Sequence, residues 1–201
     1  MKTTPLTVLL LALNLAAPAY ADKPLLLAES PGLVAEPDFK SPLDESFRIS
    51  KGEWTPLDGE ITVVNLPEEK HIPVLHHQVG LESAVIEVEF QFTGPGSILV
   101  GCDSDKHIGR VVVNAAGMSI AEDSLKPSHT IATLKVEMKP GKWHKLRVEW
   151  TGDKMAASLS GKELSAAHPY LATSKKRSWL AAGDGVKIRN LRISGVKTVA
   201  P

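Results

Sequence analysis

The 201-residue sequence predicts an all-β domain built from two packed antiparallel sheets. Three observations predict it. Apolar and polar residues alternate over Ala84 to Phe92 and again over His144 to Trp150, the period of a strand with one buried face. Short β-type runs succeed one another with Gly, Pro, Asp and Asn between them. No amphipathic helix of useful length interrupts them.

In chain order, Lys2, the apolar run Leu6 to Ala17 and the small residues of Ala19-Tyr20-Ala21 read as a secretory signal cleaved between Ala21 and Asp22. The run is about a dozen residues, short of the roughly 20 that span a bilayer, and no second run of that length follows. No membrane insertion is therefore expected after cleavage, and a periplasmic or extracellular location is expected. Residues 22–37 hold three prolines and the Leu25-Leu26-Leu27 patch without a usable period, and read as a linker or loosely packed arm. The sandwich domain is placed at 38–194 and a disordered tail at 195–201.

Strands are predicted at Phe47 to Ser50, Glu60 to Val64, Ile72 to His76, Ser97 to Cys102, Ile108 to Asn114, Met118 to Ala121 and Ile131 to Met138. On Ala84 to Phe92, Ile86, Val88, Phe90 and Phe92 share one face, with Glu87, Glu89 and Gln91 on the other. On His144 to Trp150, Leu146, Val148 and Trp150 oppose Lys145, Arg147 and Glu149. Both polar faces are expected to be wet. Turns at Thr151-Gly152-Asp153 and Gly161-Lys162 bracket a return strand, Lys154 to Ser160, and make an antiparallel meander. Trp179 to Ala182 and Val186 to Ile193 complete the set. The last breaks its alternation at Asn190, where a β-bulge would return Leu191 and Ile193 to the core. These strands are too many for one open sheet of a small domain, hence two.

Charge and cysteine content narrow the function classes. The chain has 23 basic and 23 acidic residues, and removing residues 1–21 leaves 22 against 23. A chain with no basic surplus is a poor match for a phosphate backbone or an anionic membrane, so nucleic acid is not an expected partner. Cys102 is the lone cysteine, so the domain must be held by its core rather than by a disulfide. It follows Ile98-Leu99-Val100-Gly101 and reads as a buried filler.

Several segments in order resemble a known family: Gly52-Glu53-Trp54 with Asp58-Gly59-Glu60-Ile61, Val85 to Phe92, Pro140-Gly141-Lys142-Trp143-His144, and Val186 to Ile193 with Arg189-Asn190-Leu191-Arg192. Together they resemble the 3-keto-disaccharide hydrolase-like domains of secreted bacterial proteins, relatives of concanavalin-type lectins and glucanases. The resemblance spans roughly Asp38 to Ser194. It implies a concanavalin-like jelly roll whose concave sheet faces a saccharide. In some members it also implies cleavage of glycosides oxidised at the third carbon, by removal of a proton beside the ketone and elimination of the glycosidic oxygen. The chain departs from the family at Gly94-Pro95-Gly96-Ser97-Ile98, where many members carry Asn-Ser-Gly. A binding or adhesion module, or an accessory domain of a secreted complex, therefore stands as the alternative.

Candidate site residues follow from both lines. Glu87 and Glu89 lie two apart on one strand face, either as working carboxylates or as structural partners of Lys145 and Arg147. The glucanase pattern Glu-x-Asp-x-x-Glu is absent, which argues against a two-carboxylate glycosidase on this strand. Under the family resemblance Glu89 is the favoured base, Glu87 its neighbour, and Arg147 or Lys145 the polar stabilisers. Asp103-Ser104-Asp105-Lys106-His107 forms a turn that is either simply hydrophilic or a metal site, Asp103 and Asp105 suiting calcium and His107 a transition metal so that the mixture selects neither, with His107 also a candidate ligand contact. No cofactor is otherwise expected. Trp179 follows the basic cluster Lys175-Lys176-Arg177 in a predicted loop, where its indole could stack on a sugar ring or pack beneath the loop. Glu149 is a further candidate ligand contact. Arg110 is expected on the face opposite His107 if its strand is regular, and His71, His76 and His77 read as exposed loop histidines.

Overall fold

The computed structural model describes residues 26–27 and 31–198. The predicted signal segment and cleavage site, and residues 199–201 of the predicted tail, lie outside the described residues. One sheet contains β1 (Gly32–Ala35), β3 (Glu53–Leu57), β4 (Glu60–Val64), β6 (Leu81–Phe92), β11 (Trp143–Thr151), β12 (Lys154–Leu159), β13 (Lys162–Ala167) and β15 (Val186–Lys197). The other contains β2 (Phe47–Lys51), β5 (Val74–His77), β7 (Ser97–Asp103), β8 (His107–Asn114), β9 (Gly117–Glu122), β10 (His129–Leu134) and β14 (Arg177–Ala182).

The first sheet runs β13-β12-β11-β6-β15-β4-β3, with β1 on the later half of β15; the second runs β10-β9-β8-β7-β14-β5-β2. Neighbouring strands are antiparallel. Between the sheets lies a single large core that includes Ile86, Val88, Phe90, Val148, Trp150 and Ile188, all nearly or wholly shielded from solvent. The period of two on β6 and β11 supplies one wall of this core, as the sequence predicts.

Local chemistry fixes the connections. Asp58 and Gly59 both have positive φ (52° and 86°) in the two-residue turn joining β3 to β4, and Ser160 and Gly161 (48° and 91°) do the same between β12 and β13. Paired positive φ matches the turn to the twist of the flanking strands. At Asn190 φ is 51° and the pairing of β15 with β6 shifts between Arg189 and Arg192. That bulge turns Leu191 and Ile193 inward as predicted, leaving each almost fully buried. Cys102 is fully buried, and burial pushes its thiol up to about 12.

Several features differ from the sequence reading. Part of the predicted arm, Gly32–Ala35, is a strand on β15. The predicted tail continues β15 to Lys197, paired with Leu81. Two further strands escaped the pattern: β3, whose Pro56 is tolerated because the strand is the edge of its sheet, and β13 at the opposite edge. The polar faces of β6 and β11 are largely dry, with Glu87, Glu89 and Glu149 at 8%, 4% and 0% exposure. His77 is a buried strand residue rather than an exposed loop one, and neither ring nitrogen has a partner among the described residues.

Candidate functional site

The outer face of the second sheet carries a groove of about 840 Å³ across β5, β14, β7 and β8, closed on one side by the 123–128 loop. Its floor is apolar. Trp179 packs with Val74 and Ala181, and Ile72 and Leu99 lie against them. The floor depends on a missing side chain, because Trp179 pairs with Gly101 across the strands and a Cβ at position 101 would overlap the indole's six-membered ring.

A polar group stands at one end of this floor. The short Ser104-Asp105-Lys106 turn closes the β7-β8 hairpin and sets Asp103 directly opposite His107. The Asp103 carboxylate accepts three side-chain donors: His107 Nδ1 at 2.8 Å and Trp179 Nε1 at 2.7 Å on Oδ1, and Arg177 Nε at 3.3 Å on Oδ2. Burial pushes the Asp103 carboxyl up, but the bonds from His107, Trp179 and Arg177 outweigh it and hold the group below the usual carboxylate range. The bond that His107 donates to Asp103 also raises the imidazole against the opposing effect of burial. With Nδ1 tied to the carboxylate, Nε2 has no hydrogen-bond partner among the described residues, and the side chain is 58% exposed. A carboxylate-oriented imidazole of this kind can take or give a proton.

Arg110 lies in the same groove, not on the opposite face. The reason is a bulge: Cys102 pairs with Gly109 and Asp103 with His107, so Ile108 is an extra residue that turns into the core and shifts the alternation. Arg110 Nη1 reaches Asp123 at 2.6 Å, and Nη2 donates to Ser128. Sequence reasoning missed Arg110, Asp123 and Ser128 as site residues. The contacts run across the sheet into a loop with no motif of its own, and the signal that could have found Arg110 is the bulge.

Of the residues singled out in the sequence, the structure brings Trp179, His107, Asp103 and Asp105 together around this groove. Trp179 sits within β14, only 6% exposed, as a floor rather than a projecting platform. Asp103 and Asp105 are separately engaged, since Asp105 is on the surface with Lys176 at 2.9 Å. Among the described residues no three His, Cys, Asp or Glu side chains converge on a point where a metal could sit.

Glu87, Glu89, Lys145, Arg147 and Glu149 occupy the outer face of the other sheet, on the far side of the sandwich. There Arg147 Nε meets Glu87 at 3.1 Å, and Arg189 Nε meets Glu89 at 2.8 Å with Lys145 3.5 Å away. Arg189 also lies over the Trp143 ring, 4.0 Å from its centroid. Burial raises the Glu87 carboxyl, with Arg147 pulling in the opposite direction. Glu149 accepts the backbone N–H groups of Leu26 and Leu27 at 2.8–3.0 Å, with Arg147 Nη1 at 3.9 Å.

No family model and no curated protein matches the sequence. Among solved structures, the carbohydrate-binding module CBM66 from Bacillus subtilis superposes with a TM-score of 0.60 at 13% identity, covering 75% of this chain and 96% of that one. The Bacillus licheniformis β-glucanase gives 0.60 at 8% identity, with 83% and 99% covered. The exoplasmic domain of VIP36, in its Ca2+/Man3GlcNAc-bound form, gives 0.54 at 10% identity, with 80% and 87% covered. Likeness at such low identity speaks to architecture, and the chain has the concanavalin-like jelly-roll fold.

Proposed function

We propose that the chain is an exported, carbohydrate-directed jelly-roll protein whose saccharide site is the groove over the second sheet. The observation that carries this reading is the Asp103 cluster: one buried carboxylate pins an indole floor, an imidazole and a guanidinium at the edge of an open groove. Pre-held polar groups around an aromatic floor suit a ligand that is polar at its edges and apolar on its ring face. The similar structures support the reading, being a carbohydrate-binding module, a glucanase and a glycan-bound domain. Export rests on the signal-like order of Lys2, the apolar run and Ala19-Tyr20-Ala21.

The test is a panel of oligosaccharides read by melting temperature and tryptophan fluorescence on the chain from Asp22 onward. A saccharide should raise the melting temperature. His107→Ala should weaken its binding by about tenfold, the effect of losing one good polar contact, and Glu89→Gln should leave binding unchanged. Failure of every saccharide to bind, or binding indifferent to His107, defeats the assignment.

The finer reading, taken from the family resemblance, is cleavage of 3-keto-glycosides. In the groove its candidate base is His107, oriented by Asp103; Glu89, the base the resemblance favours, lies on the far sheet and would serve only a ligand bound there. Incubation with 3-keto-glycosides and their unoxidised counterparts, using His107→Gln and Glu89→Gln, separates catalysis from binding and one base from the other.

A further inference from the structure

Charges cancel over the whole chain but not around the groove. Its acids are Asp103, Asp105 and Asp123, and its lysines and arginines are Lys106, Arg110, Lys126 and Arg177. Each acid is already engaged: Asp103 by His107 and Arg177, Asp105 by Lys176, and Asp123 by Arg110. The cations are not all used. Among the described residues no acid pairs with Lys106 or Lys126, and none engages the two terminal nitrogens of Arg177, whose Nε alone is bonded to Asp103.

That single bond matters because it orients the rest. A guanidinium fixed through Nε is a planar fork whose remaining N–H groups are held ready for a second carboxylate, at lower entropic cost than a free arginine. His107 is fixed through the other oxygen of Asp103, so its open Nε2 belongs to the same cluster. The elevated imidazole pKa adds positive charge there in mildly acidic solution.

We propose that the ligand of the groove is an acidic saccharide, with a uronate carboxylate held by the terminal nitrogens of Arg177 and Nε2 of His107, and with Lys106 and Lys126 drawing further negative charge along the groove. This rests on the saccharide reading above and adds the substrate class to it. A sulfate ester on a sugar offers related chemistry, since its oxygens also pair with a guanidinium fork, but they are far less basic and accept hydrogen bonds more weakly than a carboxylate's.

The experiment is calorimetric titration of the chain from Asp22 onward with oligogalacturonate, alginate oligosaccharides, the methyl ester of oligogalacturonate, and a sulfated galactan oligosaccharide without carboxylates. At least one uronate should bind about tenfold or more tightly than the uncharged ester, as charge-assisted paired hydrogen bonds require. That affinity should fall as salt is raised. Arg177→Leu should abolish the preference. Lys106→Gln with Lys126→Gln, both on the exposed surface, should flatten the salt dependence while leaving the fold intact. Equal binding of ester and acid overturns the acidic-ligand inference but leaves the saccharide reading standing. Binding of the sulfated oligosaccharide alone overturns the carboxylate. Binding of neither acidic nor neutral sugars overturns both.

Discussion

The two outer faces of the sandwich carry similar residue types and use them in opposite ways. On the first sheet, Glu87, Glu89 and Glu149 are neutralised by arginines on neighbouring strands and by backbone N–H groups of Leu26 and Leu27. On the second, Asp103 is as deeply buried as those glutamates, yet the groups it holds reach an open groove. A buried charge with its partners satisfied inward stabilises; one whose partners retain outward-facing donors prepares a site. Substitutions on the first face should therefore cost stability and spare binding, and those on the second should cost binding.

The largest expected effect lies on the first face. Glu149 is fully buried and receives Leu26 N at 2.9 Å and Leu27 N at 2.8 Å on one oxygen. Glu149→Ala strands those donors and removes a counter-charge from Arg147, and should cost about 3 kcal/mol, as for breaking a buried pair. Urea unfolding would show it as a lowered midpoint, and proteolysis near Leu26 should accelerate. Saccharide affinity should not change. Undiminished stability, or lost affinity, would mean that this face is not the closed one.

Next in size is the floor of the groove. Gly101→Ala places a methyl where the Trp179 indole lies and within 2.9 Å of the Gly109 carbonyl oxygen. Overpacking of this kind costs about 1–3 kcal/mol. The indole must also move off Asp103, so saccharide affinity should fall together with stability and the tryptophan emission should shift. A variant that is destabilised but binds normally would detach Trp179 from the site.

These contrasts explain what could be read in the sequence. Alternation on β6 and β11 revealed the core because burial of one face leaves a period of two, and the Asn190 bulge was legible because it interrupts that period. The same pattern could not tell a wet polar face from one covered by an arm 123 residues away in sequence, as at Glu149. Asp103 and His107 were legible as neighbours in one turn. Their union with Trp179 and Arg177 was not, since strand order across a sheet is set by tertiary packing. Position 101 reads only as a glycine beside an apolar run, and its purpose emerges once β14 lies next to β7.

The smallest effect sharpens the contrast through pH. The His107 imidazole is raised by its bond to Asp103, so the stability it contributes is complete below the unfolded histidine value of about 6.5 and is lost as pH rises through the higher folded value. The Asp103 carboxyl is depressed, so its contribution is complete above the unfolded aspartate value of about 3.9 and is lost as pH falls through the lower folded value. Both contributions are whole between about pH 4 and 6.5, and the His107 part fades above that window. His107 is more than half exposed, so the change should be small, solvent screening reducing such pairs. Melting temperatures of the parent and His107→Gln, measured from pH 5 to 9, should differ most at the acidic end and converge at the basic end. A constant difference across that range would show that His107 is held by packing rather than by its charge on Asp103.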